Sequence, residues 1–250
     1  MGVETIFRLD GRRALITGAS GGLGAHFAGV LHEAGAQVIL AARRLESCQE
    51  LAEDLGSGAQ ALALDVSDPA SIAACLASAG PVDILINNAG IAATRPFLDQ
   101  TTEDWDRVLG VNLRGAFMMG QAVARGMVAR GTGGAIVNIA SILGERIIPG
   151  VAGYTSAKAG LIHLTRQMAV ELARHNIRVN ALAPGYIASD LNAGFFESEP
   201  GKAMIRRIPQ RRLAEPRDLD GALLLLASDA GRHMTGSVIT VDGGHSVGSL

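Results

Sequence analysis

The sequence predicts an α/β fold, in which one parallel sheet of seven strands has helices on both faces. Three observations indicate this. The chain has 250 residues, 48% of them hydrophobic, which suits one domain with a large buried core. Short apolar runs alternate with longer segments in which apolar residues recur at helical spacing. The short runs are almost wholly apolar, as strands are when helices cover both faces of their sheet.

The predicted elements alternate along residues 1–250, which we interpret as one domain. Strands are expected at 14–17, 37–42, 60–64, 83–86, 135–140, 177–182 and 237–241. Helices are expected at 22–33, 45–55, 102–130, 154–174 and 216–227. This order is typical of a doubly wound, Rossmann-like sheet, which binds ligands at the carboxyl ends of its strands. The one long irregular stretch, 185–212, is expected to cover the substrate.

Charge and composition argue against several partners. The formal net charge is −2, and no basic run exceeds an arginine pair, so nucleic acid is not expected. No stretch reaches the roughly 18 apolar residues of a spanning helix, and residues 1–13 lack a signal-peptide core. We therefore expect a cytoplasmic protein without a membrane partner. Cys48 and Cys75 lack zinc-ligand spacing, so reduced thiols and no metal are predicted.

The first motif, TGASGGLG at 17–24, follows the first predicted strand and opens the first predicted helix. Glycines at such a turn let backbone NH groups approach a pyrophosphate at the helix N-terminus. Its spacing differs from G-x-G-x-x-G, and a glycine cluster alone would also fit a tight turn. The residues expected to contact a dinucleotide here are Gly18, Ser20, Gly21, Gly22, Leu23 and Gly24.

The end of the second predicted strand indicates which dinucleotide binds. An acidic residue there would hold the ribose 2′-hydroxyl of NAD(H), but this chain has Ala42 followed by Arg43 and Arg44. Arginines bind a 2′-phosphate through charge-assisted hydrogen bonds, so NADP(H) is favoured over NAD(H). The alternative is that the arginines only begin a solvated helix.

Asp65, at the end of the third predicted strand, is expected to accept a hydrogen bond from the adenine amino group. The helix that begins near Pro69 is more naturally capped by Ser67 or Asp68. Asp65 is therefore predicted to be free for the ligand.

YTSAK, residues 154–158, places a tyrosine and a lysine on one face of a predicted helix. A phenol with an ordinary pKa near ~10 is a poor acid or base at neutral pH. A nearby ammonium is expected to lower the pKa of Tyr154, which would then exchange a proton with a bound alcohol or carbonyl. The compact amine of Lys158 also suits ribose hydroxyls better than a guanidinium would. Alone, the motif would fit an ordinary amphipathic helix.

Two further polar residues are candidates for the same site. Ser141 directly follows the fifth predicted strand, where its hydroxyl would hold a substrate oxygen against Tyr154. Alone, it would equally fit the cap of a turn. Asn112 lies inside a predicted helix, where asparagine is disfavoured, so it needs either a surface position or a function.

Taken together, these motifs resemble those of the classical short-chain dehydrogenases/reductases, from about Leu9 to Gly244. The matching pieces, in order, are TGASGGLG, LDV at Asp65, NNAG at 87–90, Asn112, Ser141, YTSAK, RVNALAPGY at 178–186 and VDGG at 241–244. Each is weak alone, but their order and spacing are specific. The resemblance implies reversible hydride transfer between a nicotinamide and a carbonyl carbon, and a homotetramer, which the long apolar segments at 105–128 and 161–172 also favour.

The resemblance also implies roles for individual residues. Tyr154 would be the general acid/base, and Lys158 would bind the nicotinamide ribose and tune the tyrosine. Ser141 would orient the carbonyl, and Asn112 would hold a water in a proton relay. Ser189 stands where the family often has a threonine. Further cofactor contacts are expected from Val66, Asn88, Ala89, Gly90, Tyr154, Lys158, Pro184, Gly185, Ile187 and Ser189.

The substrate pocket is expected to be mostly apolar and to take a hydrophobic or medium-sized ketone or secondary alcohol. Its expected residues are Ser141, Leu143, Ile148, Tyr154, Tyr186, Leu191, Phe195 and Phe196. Arg146 would suit an acidic substrate group, although loop arginines are more often solvated. The polar residues that 3-oxoacyl carrier-protein reductases commonly have before the tyrosine are replaced by Val151 and Gly153, which disfavours that activity.

Two other functions stay open at this point. One is an NAD-dependent catabolic alcohol or polyol dehydrogenase. The other is a dinucleotide-binding regulator without catalysis, against which the complete set of Asn112, Ser141, Tyr154 and Lys158 argues.

Overall fold

Seven strands form one sheet in the computed structural model, which describes residues 2, 5–188 and 193–248. Neighbouring strands are all parallel, in the order β3-β2-β1-β4-β5-β6-β7. The strands are β1 (Arg13–Thr17), β2 (Gln37–Ala42), β3 (Ala59–Ala63), β4 (Ile84–Asn87), β5 (Gly134–Ile139), β6 (Ile177–Pro184) and β7 (Val238–Val241). The predicted fold class is confirmed.

Helices cover both faces of the sheet. They are α1 (Gly22–Glu33), α2 (Leu45–Leu55), α3 (Pro69–Ala79), α4 (Thr102–Leu109), α5 (Ala116–Arg130), α6 (Ala152–Leu172), α7 (Ala193–Glu197), α8 (Glu199–Arg207) and α9 (Asp220–Ala227). Within the described ranges, no helix is both long and apolar enough to span a membrane.

The apolar strands are buried because successive side chains enter different cores. Ile16 packs into the core that also contains Phe27 of α1, whereas Leu15 packs into the core that contains Met119 of α5. Side chains of a strand alternate between the two faces of its sheet, so an unbroken apolar run fills both cores. This explains why these strands lack the polar–apolar alternation of a half-exposed sheet.

Two helix predictions were wrong in detail. The single helix expected at 102–130 is divided into α4 and α5 by a π-helical turn, Gly110–Gly115. The stretch 185–212, expected to be irregular, contains α7 and α8. Ser198 caps α8 by accepting a hydrogen bond from the Gly201 backbone NH at 3.3 Å, a local signal that the apolar periodicity did not reveal.

The strand order reverses between β1 and β4, which places a crevice at the carboxyl ends of these strands. Thr17, at the end of β1, ties the two ends together. Its hydroxyl oxygen accepts hydrogen bonds from the backbone NH groups of Asn88 and Ala89, each at 3.0 Å. The glycine loop after β1 and the NNAG segment after β4 therefore form adjacent walls of one crevice.

Candidate active site

The glycine loop packs so closely on its surroundings that two positions exclude any side chain. A Cβ at Gly24 would lie 2.3 Å from the Gly18 carbonyl oxygen and 2.6 Å from the Asn88 amide nitrogen. Gly18 has a φ of 68° and lies against Ala89, where a Cβ would approach the Ala89 Cα to 2.9 Å. These glycines bring the start of α1 against NNAG, so that backbone NH groups face the crevice.

A cavity of about 480 Å³ lies between this loop and the ends of β2, β3 and β4. It brings together all the cofactor residues predicted before α4. These are Gly18, Ser20, Gly21, Gly22, Leu23, Gly24, Arg43, Arg44, Asp65, Val66, Asn88, Ala89 and Gly90. The cavity walls also include residues that sequence reasoning missed, namely Ala42, Leu64, Ile91 and Val111. Their apolar side chains carried no signal distinct from that of the core.

Arg43 and Arg44 both lie at this cavity but differ in their contacts. Arg44 reaches back over the glycine loop, and its Nη2 donates to the Ser20 hydroxyl at 3.1 Å. Arg43 is exposed at the cavity wall. Two guanidinium groups therefore border the end of the cavity formed by β2, where a 2′-phosphate would need them.

Asp65 lies in the cavity wall, but one of its two carboxylate oxygens is engaged, so the prediction of a wholly free side chain was wrong. Its Oδ1 accepts hydrogen bonds from the Ser67 backbone NH at 2.9 Å and from the Ser67 hydroxyl at 2.6 Å. These bonds, the side-chain bond first, hold the pKa of Asp65 below its usual value. Of the two predicted caps of α3, Ser67 and Asp68, the structure shows Asp68.

Ser141, Tyr154 and Lys158 meet at the carboxyl end of β5. Ser141 directly precedes a short 3-10 turn, and its hydroxyl oxygen accepts a hydrogen bond from the Leu143 NH at 3.1 Å. Tyr154 lies in the first turn of α6, close enough to Ser141 for the serine hydroxyl to act on the pKa of the phenol. Lys158, one turn later, places its Nζ 5.5 Å from the centroid of the Tyr154 ring.

Burial dominates the ionisation of both α6 residues. Lys158 is 4% exposed, its Nζ donates to the Ile139 carbonyl oxygen at 2.7 Å, and burial lowers its pKa to about 8. Burial raises the pKa of Tyr154, and the neighbouring Ser141 hydroxyl opposes this. The predicted lowering of the Tyr154 pKa by the lysine was therefore wrong for the chain alone. A raised pKa keeps the phenol protonated at neutral pH, which is the form that a proton donor requires.

Asn112 is 1% exposed and lies in the π-helical turn, so a surface position does not explain it. Its side-chain amide forms hydrogen bonds with both the NH and the carbonyl group of Ile91. Nδ2 donates to the Ile91 carbonyl oxygen at 2.6 Å, and Oδ1 accepts from the Ile91 NH at 2.9 Å. A Cβ at Gly90 would lie 2.7 Å from Asn112 Oδ1 and 3.7 Å from Lys158 Nζ. Asn112 therefore positions the segment next to the lysine, and the water relay stays a prediction.

The segment after β6 passes the same edge. Pro184 ends β6, and Gly185 lies so close to Asp242 that a Cβ would come within 2.7 Å of the aspartate Cβ. Ile187 forms a parallel bridge with Ala214. The predicted residues Ser189 and Leu191 lie outside the described residues.

The predicted substrate residues that the structure describes include an aromatic cluster. Tyr186 and Phe196 meet edge to face at 5.8 Å between ring centroids, and Phe195 meets Phe196 at 5.1 Å. Leu143 and Ile148 are half-buried on the loop between Ser141 and α6. His245, which sequence reasoning missed, lies 5.4 Å from the Tyr186 ring. It lies four residues after the end of β7, in a segment that the strand-end rule could have singled out.

Hydride transfer to a carbonyl needs a dinucleotide site and a proton donor close together, and this sheet edge carries candidates for both. The fold and site thus define an oxidoreductase that uses a nicotinamide dinucleotide. A family model described as Enoyl-(Acyl carrier protein) reductase matches residues 18–246. The chain belongs to the short-chain dehydrogenase/reductase family, as the sequence motifs predicted. It therefore acts on CH–OH and C=O groups.

Related proteins match nearly the whole chain. L-xylulose reductase from Bos taurus is 40% identical over 238 residues, which are 95% of this chain and 97% of that protein. Gluconate 5-dehydrogenase from Gluconobacter oxydans is 40% identical over 250 residues, 97% of each chain. A solved gluconate 5-dehydrogenase from Burkholderia cenocepacia, in complex with NADP and tartrate, superposes with a TM-score of 0.93 at 38% identity, covering 99% of this chain and 100% of that one.

Proposed function

We propose that this oxidoreductase reduces a ketone to a secondary alcohol with NADPH, and that Tyr154 delivers the proton to the carbonyl oxygen. The observation that carries the proposal is the meeting of Ser141, Tyr154 and Lys158 at the edge that also holds the glycine loop. When bound, the nicotinamide supplies the hydride and accepts it in the reverse direction.

The residues around the cavity fit NADP(H). Arg43 and Arg44 provide positive charge at the β2 end, where no carboxylate follows the strand. Among the relatives, the B. cenocepacia structure contains NADP, and carbonyl reductase [NADPH] 2 from Sus scrofa is 38% identical. The glycine loop would hold the pyrophosphate, and Lys158, Pro184, Gly185 and Ile187 would contact the nicotinamide half.

Ser141 and Tyr154 would act on the substrate oxygen together. The Ser141 hydroxyl lies near enough to act on the pKa of Tyr154, so a carbonyl oxygen placed between the two hydroxyls would accept from both. The raised pKa of Tyr154 favours the protonated phenol before reduction. Lys158, fixed on the Ile139 carbonyl, places its amine beside the ring, where a positive charge would offset part of the burial cost of the phenolate that forms.

The names of the relatives favour the medium-sized substrate among the two predicted kinds. They act on a pentulose and on gluconate by their names, which favours a polyhydroxylated compound over a hydrophobic one. The second candidate function is an NAD-dependent polyol dehydrogenase, favoured by sorbitol dehydrogenase from Cereibacter sphaeroides at 38% identity. We keep 185–212 as the substrate-covering segment, because its Tyr186 and Phe196 pack together beside the site.

A homotetramer is part of the same proposal. The outer face formed by α5 and α6 exposes Phe117 to 43%, Val128 to 39% and Val170 to 79%, which favours contact with another copy. Light scattering should give four times the mass of one chain, and the mass of a single chain would contradict the tetramer. A cytoplasmic location of the single-domain protein remains a prediction.

The experiment that tests the function compares NADPH with NADH, first by fluorescence titration and then by turnover of a ketone panel that includes L-xylulose. We expect NADPH to bind more tightly, Arg43→Ala to remove this preference, and nucleotide to be consumed with at least one ketone. Equal or tighter NADH binding would favour the polyol dehydrogenase. Binding without turnover of any ketone would favour the regulator.

A further inference from the structure

Three segments that leave neighbouring strands converge beside the candidate active site. Arg146 lies on the loop after β5, Tyr186 follows β6, and His245 follows β7. Because β5, β6 and β7 are adjacent and parallel, their carboxyl ends lie at one edge of the sheet. The loop of Arg146 also carries Ser141, so this convergence borders the substrate side of the site.

Contacts fix the C-terminal segment against two arginine-bearing elements. The Arg146 Nη1 donates to the Ser246 carbonyl oxygen at 2.5 Å. On the other side, a Cβ at Gly248 would lie 3.7 Å from the Arg207 carbonyl oxygen at the end of α8. Residues 245–248 therefore lie between Arg146 and Arg207.

His245 sits between these elements with an unsatisfied nitrogen. Its ring packs against Tyr186, and its Nδ1 is buried without a hydrogen-bond partner among the described residues. Burial, together with the charges of Arg146 and Arg207, lowers the pKa of His245, while Asp242 opposes them. Buried polar atoms are nearly always paired, so an unpaired one calls for an explanation such as a ligand.

The charge of this cluster is positive. Asp242 is the carboxylate that acts on His245, and both of its oxygens are already occupied by the main chain. Oδ1 accepts from the Gly244 NH at 2.8 Å, and Oδ2 accepts from the Ser246 NH at 2.6 Å. In the described part of the chain, no ion pair engages the exposed guanidinium of Arg207. The charges of Arg146 and Arg207 thus both act on His245, while the carboxylate beside it is already engaged.

We propose that Arg146, Arg207 and His245 form the distal end of the substrate site and select substrates that carry a carboxylate away from the reacting carbon. The inference rests on the proposed function, since it names the substrate class of that site as hydroxy acids and keto acids. Guanidinium groups bind carboxylates through charge-assisted hydrogen bonds, which discriminate strongly against a neutral hydroxyl. The proposal takes up the alternative in which Arg146, an exposed loop cation, meets an acidic substrate group.

The test compares D-gluconate with D-sorbitol, which differ only in having a carboxylate or a hydroxymethyl group at one end. Each is titrated calorimetrically into the protein saturated with NADPH, where neither compound can be oxidised. We expect gluconate to bind at least about tenfold more tightly than sorbitol, as suits a charged hydrogen bond. Equal affinities, or no binding of either compound, would overturn the proposal.

Single substitutions test whether these residues determine the gluconate affinity. Arg207→Gln and His245→Gln should each lower the gluconate affinity several-fold and leave sorbitol unchanged, whereas Arg206→Gln, the same change one residue away, should alter neither. A loss of gluconate affinity in Arg206→Gln equal to that in Arg207→Gln would show a general charge effect and contradict the site. Ketone turnover is measured separately. If gluconate binds more tightly than sorbitol but no ketone is turned over, only the proposed function is refuted. If a ketone is turned over but gluconate and sorbitol bind equally, only this inference is refuted.

Discussion

The two halves of the crevice are built in different ways. The dinucleotide cavity near β1, β2 and β3 is shaped largely by main chain, with Gly18 and Gly24 removing side chains where strands and α1 meet. The catalytic half near β5, β6 and β7 is shaped by side chains from distant segments, held by buried hydrogen bonds such as that of Lys158 to Ile139. The binding surface is therefore determined by short local sequence motifs, whereas the reactivity of the catalytic half depends on burial created by the whole fold.

The substitution Tyr154→Phe should have the largest effect, because it should impair catalysis without changing dinucleotide binding. Loss of a positioned proton donor should lower kcat by about 10³-fold, within the range for general acid catalysis. NADPH affinity should stay unchanged, because the phenol oxygen lies outside the dinucleotide cavity walls. Steady-state kinetics and fluorescence titration check both values. Tyr186→Phe, the same change at the other tyrosine, is the control, and an equal loss of kcat there would contradict the assignment.

Lys158→Met tests whether burial governs the catalytic half. A pKa lowered from 10.5 to about 8 corresponds to a penalty of about 3 kcal/mol for the charged amine. Below pH 8 both folded and unfolded chains hold the proton, so the penalty is fully present. Between pH 8 and 10.5 the folded chain releases it first, so wild-type stability should rise with pH relative to the variant.

Urea unfolding at pH 7 and pH 10 measures this difference. Lys158→Met should be more stable than the wild type at pH 7, by less than the full penalty because the Ile139 carbonyl loses its donor. The gap should narrow at pH 10. A gap independent of pH would mean that burial does not set the ionisation of Lys158.

Gly24→Ala probes the dinucleotide half. The added methyl would meet the Gly18 carbonyl oxygen at 2.3 Å, so the loop must shift and NADPH affinity should fall by about tenfold or more. Gly29→Ala, in the same helix with nothing within 4 Å of the new carbon, should keep the affinity and gain up to about 1 kcal/mol of stability. Similar NADPH affinities in the two variants would show that close packing at Gly24 is not required.

Arg44→Gln should have the smallest effect. Its bonds to Ser20 are exposed and 3.1 to 3.3 Å long, so their loss should weaken NADPH binding by only about threefold, less than one good hydrogen bond. NADH binding, measured in the same titration, should weaken less than NADPH binding, because Arg44 borders the end of the cavity proposed for the 2′-phosphate. An equal loss for both nucleotides would show that Arg44 only orders the loop.

The sequence predicted the dinucleotide half better than the catalytic half, and the reason is physical. Glycine spacing, strand ends and Arg43 are local features, so their positions follow from periodicity and the strand-end rule. The protonation of Tyr154 depends on burial, which no local pattern shows, and its pKa moved opposite to the prediction.

The sequence also could not show which side chains form hydrogen bonds with each other or lie close together in the fold. The sequence indicates Ser67 as a candidate helix cap, whereas in the structure Ser67 occupies one oxygen of Asp65. His245 and Arg207 lie far from Arg146 along the chain and meet it only through the order of β5, β6 and β7. Asn112 was singled out correctly as unusual, but the π-helical turn that accommodates it was not predicted.

The central claim, that one half binds the dinucleotide and the other performs the chemistry, is tested most directly by the single-turnover rate of Arg43→Ala as a function of NADPH concentration. We expect the NADPH concentration at half-saturation to rise by about tenfold, as for a lost charge-assisted contact, and the rate at saturation to equal that of the wild type. A saturating rate that falls along with the affinity would contradict the separation, because the dinucleotide half would then also determine the chemistry.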